Sequence, residues 1–108
     1  MTRYAPVAMS SDRQKLVDRI LEGDARASRD DRRAAFRNDG VSEPARALID
    51  KVTQCAYRVT DEDVAAAKAG GVSEDEIFEL SVCAAIGQST RQLDSALAAL
   101  DEATKDKA

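Results

Sequence analysis

The sequence predicts an all-α protein, a compact helical bundle of about five helices. Apolar residues recur at the three- and four-residue spacing of a helix face along most of the chain. No segment alternates apolar and polar residues over a useful length, and β-branched residues are sparse, so strands are not expected. The 108 residues suffice for one domain, since domains of roughly 100–150 residues are the commonest size.

The chain is expected to divide into three parts. Residues 1–11 include Pro6 and show little periodicity, so we predict an N-terminal arm there. Residues 12–101 form the single helical domain, and residues 102–108 form a short C-terminal tail.

Two helices are expected before Gly40. The first runs from about residue 12 to residue 22, where Gly23 is placed to end it. Its apolar stripe consists of Leu16, Val17, Ile20 and Leu21. The second follows Ser28, an N-cap candidate with Asp31 three residues later. Because this second helix is highly charged, we expect it at the edge of the fold or at an interface.

The second predicted helix bears a cluster of arginines. Its members are Arg29, Arg32, Arg33 and Arg37. Such a cluster can bind phosphate groups, but aspartates are interleaved with it, which favours ion pairs among neighbours. Nucleic acid is therefore the least favoured of the partners we consider.

A third helix is predicted to begin after Ser42, with Glu43 and Pro44 in its first turn, where proline forfeits no hydrogen bond. Its buried face is predicted to comprise Leu48, Ile49, Val52, Cys55 and Ala56. Tyr57 follows, and we expect its ring to pack with the hydroxyl at the surface.

Two capping-box patterns predict the last two helices. Thr60 has Asp63 at the third following position, and Ser73 has Glu76 in the same relation, with Gly70-Gly71 as a stop between them. The final helix carries apolar residues at Ile77, Leu80, Ala84, Ile86, Leu93, Leu97 and Leu100. Unbroken, it would be roughly 40 Å long, so we expect a kink near Gly87 or a projection into another subunit.

The net charge and the lengths of the apolar runs limit the partners and the cellular compartment that we expect. The net charge of −4 argues against a whole-molecule attraction to phosphate backbones or anionic membranes. The charge is uneven, about +2 up to Gly40 and −6 beyond it. This asymmetry is typical of a solvated surface and also suits docking between copies of the chain. No apolar run of signal-peptide or membrane-spanning length is present, so we expect a cytoplasmic protein with reduced thiols and no membrane partner.

A family resemblance appears in the second half of the chain. Residues 62–77 read Glu-Asp-Val-Ala-Ala-Ala-Lys-Ala-Gly-Gly-Val-Ser-Glu-Asp-Glu-Ile, and Arg91, Asp94, Ala96 and Leu97 follow on the last helix. Together they resemble the alkylhydroperoxidase D-like (carboxymuconolactone decarboxylase-like) family, over residues 43–100. The resemblance implies an all-α homo-oligomer, an antioxidant oxidoreductase that reduces peroxides through thiols, and a thiol reductant as partner.

The resemblance also implies a set of catalytic residues. Thiol-active members carry a Cys-x-x-Cys pair followed by a histidine, with an upstream glutamate as proton relay. Glu43 matches the glutamate and Cys55 the first cysteine, while Arg58 stands at the second cysteine and Glu62 at the histidine. The chain has no histidine at all, so we expect reduced activity centred on Cys55, without metal or other cofactor.

Two interpretations of Cys55 remain open. The guanidinium of Arg58 at i+3 would stabilise a Cys55 thiolate and make it nucleophilic. Alternatively, Cys55 is a small core residue, as free cysteines often are. We expect Cys83 in the core, and a Cys55–Cys83 disulfide depends on a distance that the sequence does not fix. The function hypotheses are accordingly a homo-oligomer with residual thiol activity, or a non-catalytic scaffold or interaction protein that lost the redox centre.

Overall fold

The computed structural model describes residues 11–105. This part of the chain is built from helices without a strand, which confirms the all-α prediction. The helices are α1 (Ser11–Glu22), α2 (Arg29–Arg37), α3 (Arg46–Cys55), α4 (Asp61–Ala69) and α5 (Glu74–Thr104), with a 3-10 turn at Ala56–Arg58. The predicted arm lies outside the described residues except for Ser11. Helix α5 continues into the predicted tail, of which residues 106–108 are not described.

The predicted helix caps form as expected. Ser28 Oγ accepts a hydrogen bond from the Asp31 N–H at 3.0 Å and starts α2. Thr60 with Asp63 and Ser73 with Glu76 both form complete capping boxes, at α4 and α5. Each box satisfies two N–H groups that the first turn of a helix leaves without partners. These starts are local in sequence, and the sequence alone was sufficient to locate them.

The start of α3 differs from the prediction. Residues 43–45 form a turn after Ser42, with a cis peptide between Glu43 and Pro44, and α3 begins only at Arg46. Gly70, from the far end of α4, lies so close to the Pro44 ring that an added Cβ would overlap it. The turn before α3 is therefore packed against a segment that is distant in sequence. Neither Glu43 nor Pro44 belongs to the helix.

Helix α5 is the central element, and one of its faces packs against α2 and α3. The main core cluster comprises Ala27, Ala34, Ala35, Val41, Ala45, Ile49, Leu80, Cys83 and Ala84. A smaller cluster of Leu48, Ala67 and Ile77 joins α3, α4 and α5. Alanines dominate the contact between α2 and α5, and they let the two helices approach closely.

Helix α5 continues through Gly87 and spans 31 residues, or about 46 Å. The glycine is buried because it faces the backbone of α2, where an added Cβ would overlap the Phe36 carbonyl. The same carbonyl oxygen accepts a hydrogen bond from Arg91 Nη1 at 2.6 Å. Gly87 thus serves close helix packing, and α5 is not interrupted there.

Helix α1 lies antiparallel along α5. Near its start, Arg13 pairs with Asp94 at 3.1 Å, and near its end the Ile20 carbonyl lies 3.6 Å from Cys83 Sγ. The buried Arg32 donates from Nη1 to the Ile20 carbonyl at 3.1 Å and the Gly23 carbonyl at 2.7 Å. The guanidinium thereby satisfies carbonyl groups that the end of α1 leaves unpaired. Across residues 11–105, every helix is too short or too polar to cross a membrane.

Candidate functional site

Cys55 is the last residue of α3, a free and partly buried cysteine. Arg58, at the end of the following 3-10 turn, and Glu62, in the acidic first turn of α4, are both exposed.

Glu43 lies at the opposite end of α3 from Cys55. The ten residues of α3 separate the two positions by about 15 Å along the helix axis. A proton relay needs hydrogen-bond contact, directly or through one water. The Glu43 carboxylate instead lies 4.0 Å from Arg46 Nη1, in an exposed ion pair. The structure thus does not bring Glu43 together with the thiol it was predicted to serve.

A cavity of about 210 Å³ lies beside Glu43, between the turn before α3 and the start of α5. Its lining includes Pro44, Gly71, Val72 and Glu76, whereas Cys55, Arg58 and Glu62 are not part of it. The Glu76 carboxylate in this wall is bonded to the Ser73 N–H at 3.0 Å as part of the α5 cap. Among the described residues, no hydrogen bond or ion pair joins any two of the four predicted catalytic residues.

Cys83 has the environment of a core residue, as predicted. It is 1% exposed and belongs to the main core cluster. Burial raises the pKa of the Cys83 thiol, although the nearby Arg32 charge acts in the opposite direction. Both cysteines are free. The chain therefore holds one partly accessible thiol, Cys55, and one buried thiol.

The α2 arginines do not form an open basic surface. Arg32 is buried and bonded to α1 carbonyls. Arg33 pairs with Glu22 and lies 4.0 Å from Asp30, while Arg29 approaches Glu22 at 3.8 Å. Neighbouring carboxylates and backbone carbonyls thus occupy three of the four guanidinium groups, and only Arg37 is exposed without a contact of this kind among the described residues.

The structure reveals a surface that the sequence analysis missed, the outer stripe of α5. At 100° per residue, this stripe runs along one side of the helix and consists of Phe78, Val82, Ala85, Ser89, Leu93, Ala96 and Leu100. Its large members are exposed, Phe78 to 69%, Leu93 to 45% and Leu100 to 49%. In the sequence, Leu93 and Leu100 were grouped with Leu80 as apolar residues of one helix, and the two faces were not distinguished. Plotting α5 on a helical wheel would have revealed two apolar faces.

No charge interrupts the outer stripe. Between Phe78 and Leu100 the only charged residues of α5 are Glu79, Arg91 and Asp94. Glu79 accepts from the Ala27 N–H at 2.7 Å, and Arg91 and Asp94 bond to α2 and α1 as described above. In a chain with 33% charged residues, an uncharged face of this length is unusual. Exposed apolar patches on this scale mark interaction surfaces.

Comparisons with protein-family models, with curated proteins and with solved structures find no match to this chain. Within residues 11–105, no three acidic or cysteine side chains converge in a way that would hold a metal ion.

Proposed function

We propose that this protein is a non-catalytic helical interaction protein that binds through the outer stripe of α5. The observation that carries the proposal is the stripe itself, an exposed apolar face without charge on the longest helix of the fold. Such a face gains free energy when it leaves water. The resemblance to the alkylhydroperoxidase D-like family then reflects a helical architecture kept after the redox centre was lost.

The separation of the predicted catalytic residues supports this proposal. Glu43 and Cys55 stand at opposite ends of α3, and the cavity beside Glu43 excludes Cys55. A thiol peroxidase needs its nucleophile, its proton relay and its substrate cavity at one place. Arg58 and Glu62, which replace the second cysteine and the histidine of the family motif, are exposed surface residues.

A second candidate function is residual thiol chemistry at Cys55, favoured by its partial exposure. A core role for Cys55, the alternative left open by the sequence, would require full burial, whereas the residue is only partly buried. In this reaction the Cys55 thiol and a hydroperoxide give a sulfenic acid and an alcohol as the O–O bond breaks. Two equivalents of a small thiol then restore the Cys55 thiol and leave a disulfide and water.

Thiol labelling and hydroperoxide consumption separate the two functions. Both are measured for the native chain, Cys55→Ser and Cys83→Ser, with a small thiol present as reductant. We expect Cys55 to label in the folded protein no faster than an ordinary accessible thiol, and Cys83 to label only after denaturation. We also expect the hydroperoxide to persist in all three samples. Consumption by the native chain that Cys55→Ser abolishes would overturn the non-catalytic proposal.

A further inference from the structure

We propose that the C-terminal end of α5 binds residues 1–10 of the same chain, the arm that the sequence predicts. The surface is formed by Leu97 and Asp101, and neither residue belongs to the outer stripe, so the inference does not depend on the proposed function. It follows from where the described helices end, from which side chains are buried beyond that point, and from the composition of residues 1–10.

The helices beside α5 end before α5 does. Helix α1 is antiparallel to α5, and the Ile20 carbonyl lies 3.6 Å from Cys83 Sγ. Nine residues back along α1 and the same number forward along α5 place Ser11 level with about residue 92 of α5. Helix α2 ends at a similar level, where the Phe36 carbonyl accepts from Arg91. About three turns of α5 therefore extend beyond both helices.

Side chains in this region are nevertheless buried. Leu97 lies about 8 Å beyond the start of α1, and it is 7% exposed although it belongs to neither core cluster described above. Asp101 lies about one turn further along, and its Oδ1 atom is buried. The side chain of Arg13, in the first turn of α1, is only 15% exposed. Side chains on a helix end that projects alone into water are largely exposed, so a further segment of the chain covers this end of α5.

Residues 1–10 can reach this surface. They directly precede Ser11, and an extended chain advances about 3.3 Å per residue. Met9 can therefore reach the level of Leu97. Arg3 has more than enough chain to reach the level of Asp101.

The composition of residues 1–10 suits the surface. Seven of these ten residues are Met, Tyr, Ala, Pro or Val, and they gain free energy by covering Leu97. Arg3 is their only charged side chain. The end of α5 carries Asp101 and Glu102, and a helix C-terminus adds partial negative charge. Because Lys105 already pairs with Glu102 at 2.8 Å, Arg3 is the complementary partner for Asp101.

The bound segment also limits the apolar surface of α5. Leu97 lies one helical turn from both Leu93 and Leu100, the exposed leucines of the outer stripe. Displacement of residues 1–10 would therefore expose Leu97 and extend the apolar surface at this end of the stripe.

Paramagnetic broadening of NMR signals tests the location in the full chain. A nitroxide is attached to Thr2→Cys in a Cys55→Ser background, in which the buried Cys83 stays unlabelled. We expect the amide signals of residues 94–104 to lose most of their intensity and those of α4 to keep theirs, because about 30 Å of α5 separates the two regions. The control label at Ala66→Cys, an exposed position on α4, should do the reverse.

Broadening that is absent from residues 94–104, or equally strong in α4, would overturn the proposal. Circular dichroism verifies that the labelled proteins keep their helices.

A charge exchange tests the pair of Arg3 and Asp101, again without Cys55. Arg3→Glu should raise the labelling rate of a Met9→Cys thiol by about threefold, because a repulsion replaces an ion pair. Adding Asp101→Arg should restore the slow rate, since the pair is rebuilt in reverse. The matched control adds Asp75→Arg, an exposed position at the other end of α5, and should leave the rate high. A rate that only the control restores, or that neither restores, would overturn the pair.

These experiments are separate from the test of the proposed function. Neither result bears on the thiol assays, which alone decide whether the protein is catalytic.

Discussion

The two faces of α5 contain similar fractions of apolar residues but differ in what covers them. On the inner face, Leu80 and Cys83 are 5% and 1% exposed, and Gly87 contacts the α2 backbone. On the outer face, Phe78 and Leu93 are 69% and 45% exposed. Both faces belong to one continuous helix with the same backbone geometry. Apolar residues therefore indicate that burial of either face would be favourable. Only the arrangement of the other helices shows which face is buried within one chain.

The two faces also differ in how their charged neighbours are used. Three charged residues flank the inner face. Glu79 accepts from a backbone N–H of the loop between α1 and α2, Arg91 donates to a backbone carbonyl of α2, and Asp94 pairs with an arginine of α1. These polar contacts hold the inner face in one register on its neighbours. Among residues 11–105, the outer stripe makes no such polar contacts.

The largest expected effect on the free energy of unfolding comes from truncating one leucine on each face of α5 and comparing the two variants. Leu80→Ala should lower the free energy of unfolding by about 3 kcal/mol, since it leaves a cavity in the main core. Leu93→Ala, on the exposed face, should cost less than about 1 kcal/mol of protomer stability. Urea unfolding of both variants at one protomer concentration measures this difference. Equal losses would mean that the outer stripe is packed within its own chain.

Close helix packing predicts the next effect, at Gly87. Gly87→Ala should destabilise the fold by about 2 kcal/mol or more, because the new methyl group overlaps the Phe36 carbonyl and forces α2 and α5 apart. Ser89→Ala, two residues further along and on the outer stripe, should change stability by no more than about 0.5 kcal/mol. The measurement is the urea midpoint of each variant. A neutral Gly87→Ala would contradict the backbone contact between α2 and α5.

A smaller effect is expected at the start of α5, which both faces share. Ser73→Ala removes the hydroxyl that accepts from the Glu76 N–H at 3.1 Å and should cost about 1 kcal/mol. Ser73→Asp, which retains a capping oxygen, should restore most of the loss. Thermal unfolding followed by circular dichroism compares the three proteins. A loss that Ser73→Asp does not recover would argue against capping as its cause.

The smallest effect lies away from both faces, at Asp63. The Lys51 ammonium bonds to the Asp63 carboxylate at 2.8 Å and, together with the Thr60 N–H, lowers the pKa of Asp63 from its ordinary 3.8. A lowered pKa stabilises the fold fully above pH 3.8, and this contribution disappears as the pH falls through the lower folded value.

Unfolding measured against pH tests this contribution. The stability difference between the native chain and Asp63→Asn should be constant above pH 3.8 and shrink below it. Asp24→Asn, at an exposed aspartate, is the control. A difference that stays constant in acid would contradict the Lys51–Asp63 pair as its origin.

Local chemistry explains which parts of the fold the sequence predicted. The caps at Ser28, Thr60 and Ser73 formed where expected, because each joins a side chain to a backbone N–H three residues away. The start of α3 was missed because Pro44 packs against Gly70, which is distant in sequence. Tyr57 was expected to pack, yet it is 88% exposed because α3 ends at Cys55 and the following turn directs the ring outward.

In the candidate site, too, some features were predictable from the sequence and others depended on the tertiary structure. The sequence identified both cysteines and correctly placed Cys83 in the core, since a small apolar environment is its commonest setting. The grouping of Glu43, Cys55, Arg58 and Glu62 as a catalytic set remains a prediction from family resemblance. All of α3 before Cys55 itself lies between the first two of these residues. No sequence pattern reports that distance, because it depends on where the helix begins.

The sequence by itself determined that this chain is all-helical, where most helices start, and that α5 carries apolar residues from Ile77 to Leu100. Those properties depend on side chains within a few residues of each other. The tertiary structure decided which side of α5 faces the core, because α2 can approach only where Ala84 and Gly87 let its backbone come close. Once that contact is made, the helix cannot rotate. The outer stripe, equally apolar but lined at its ends by Phe78 and Leu100, is then left facing solvent.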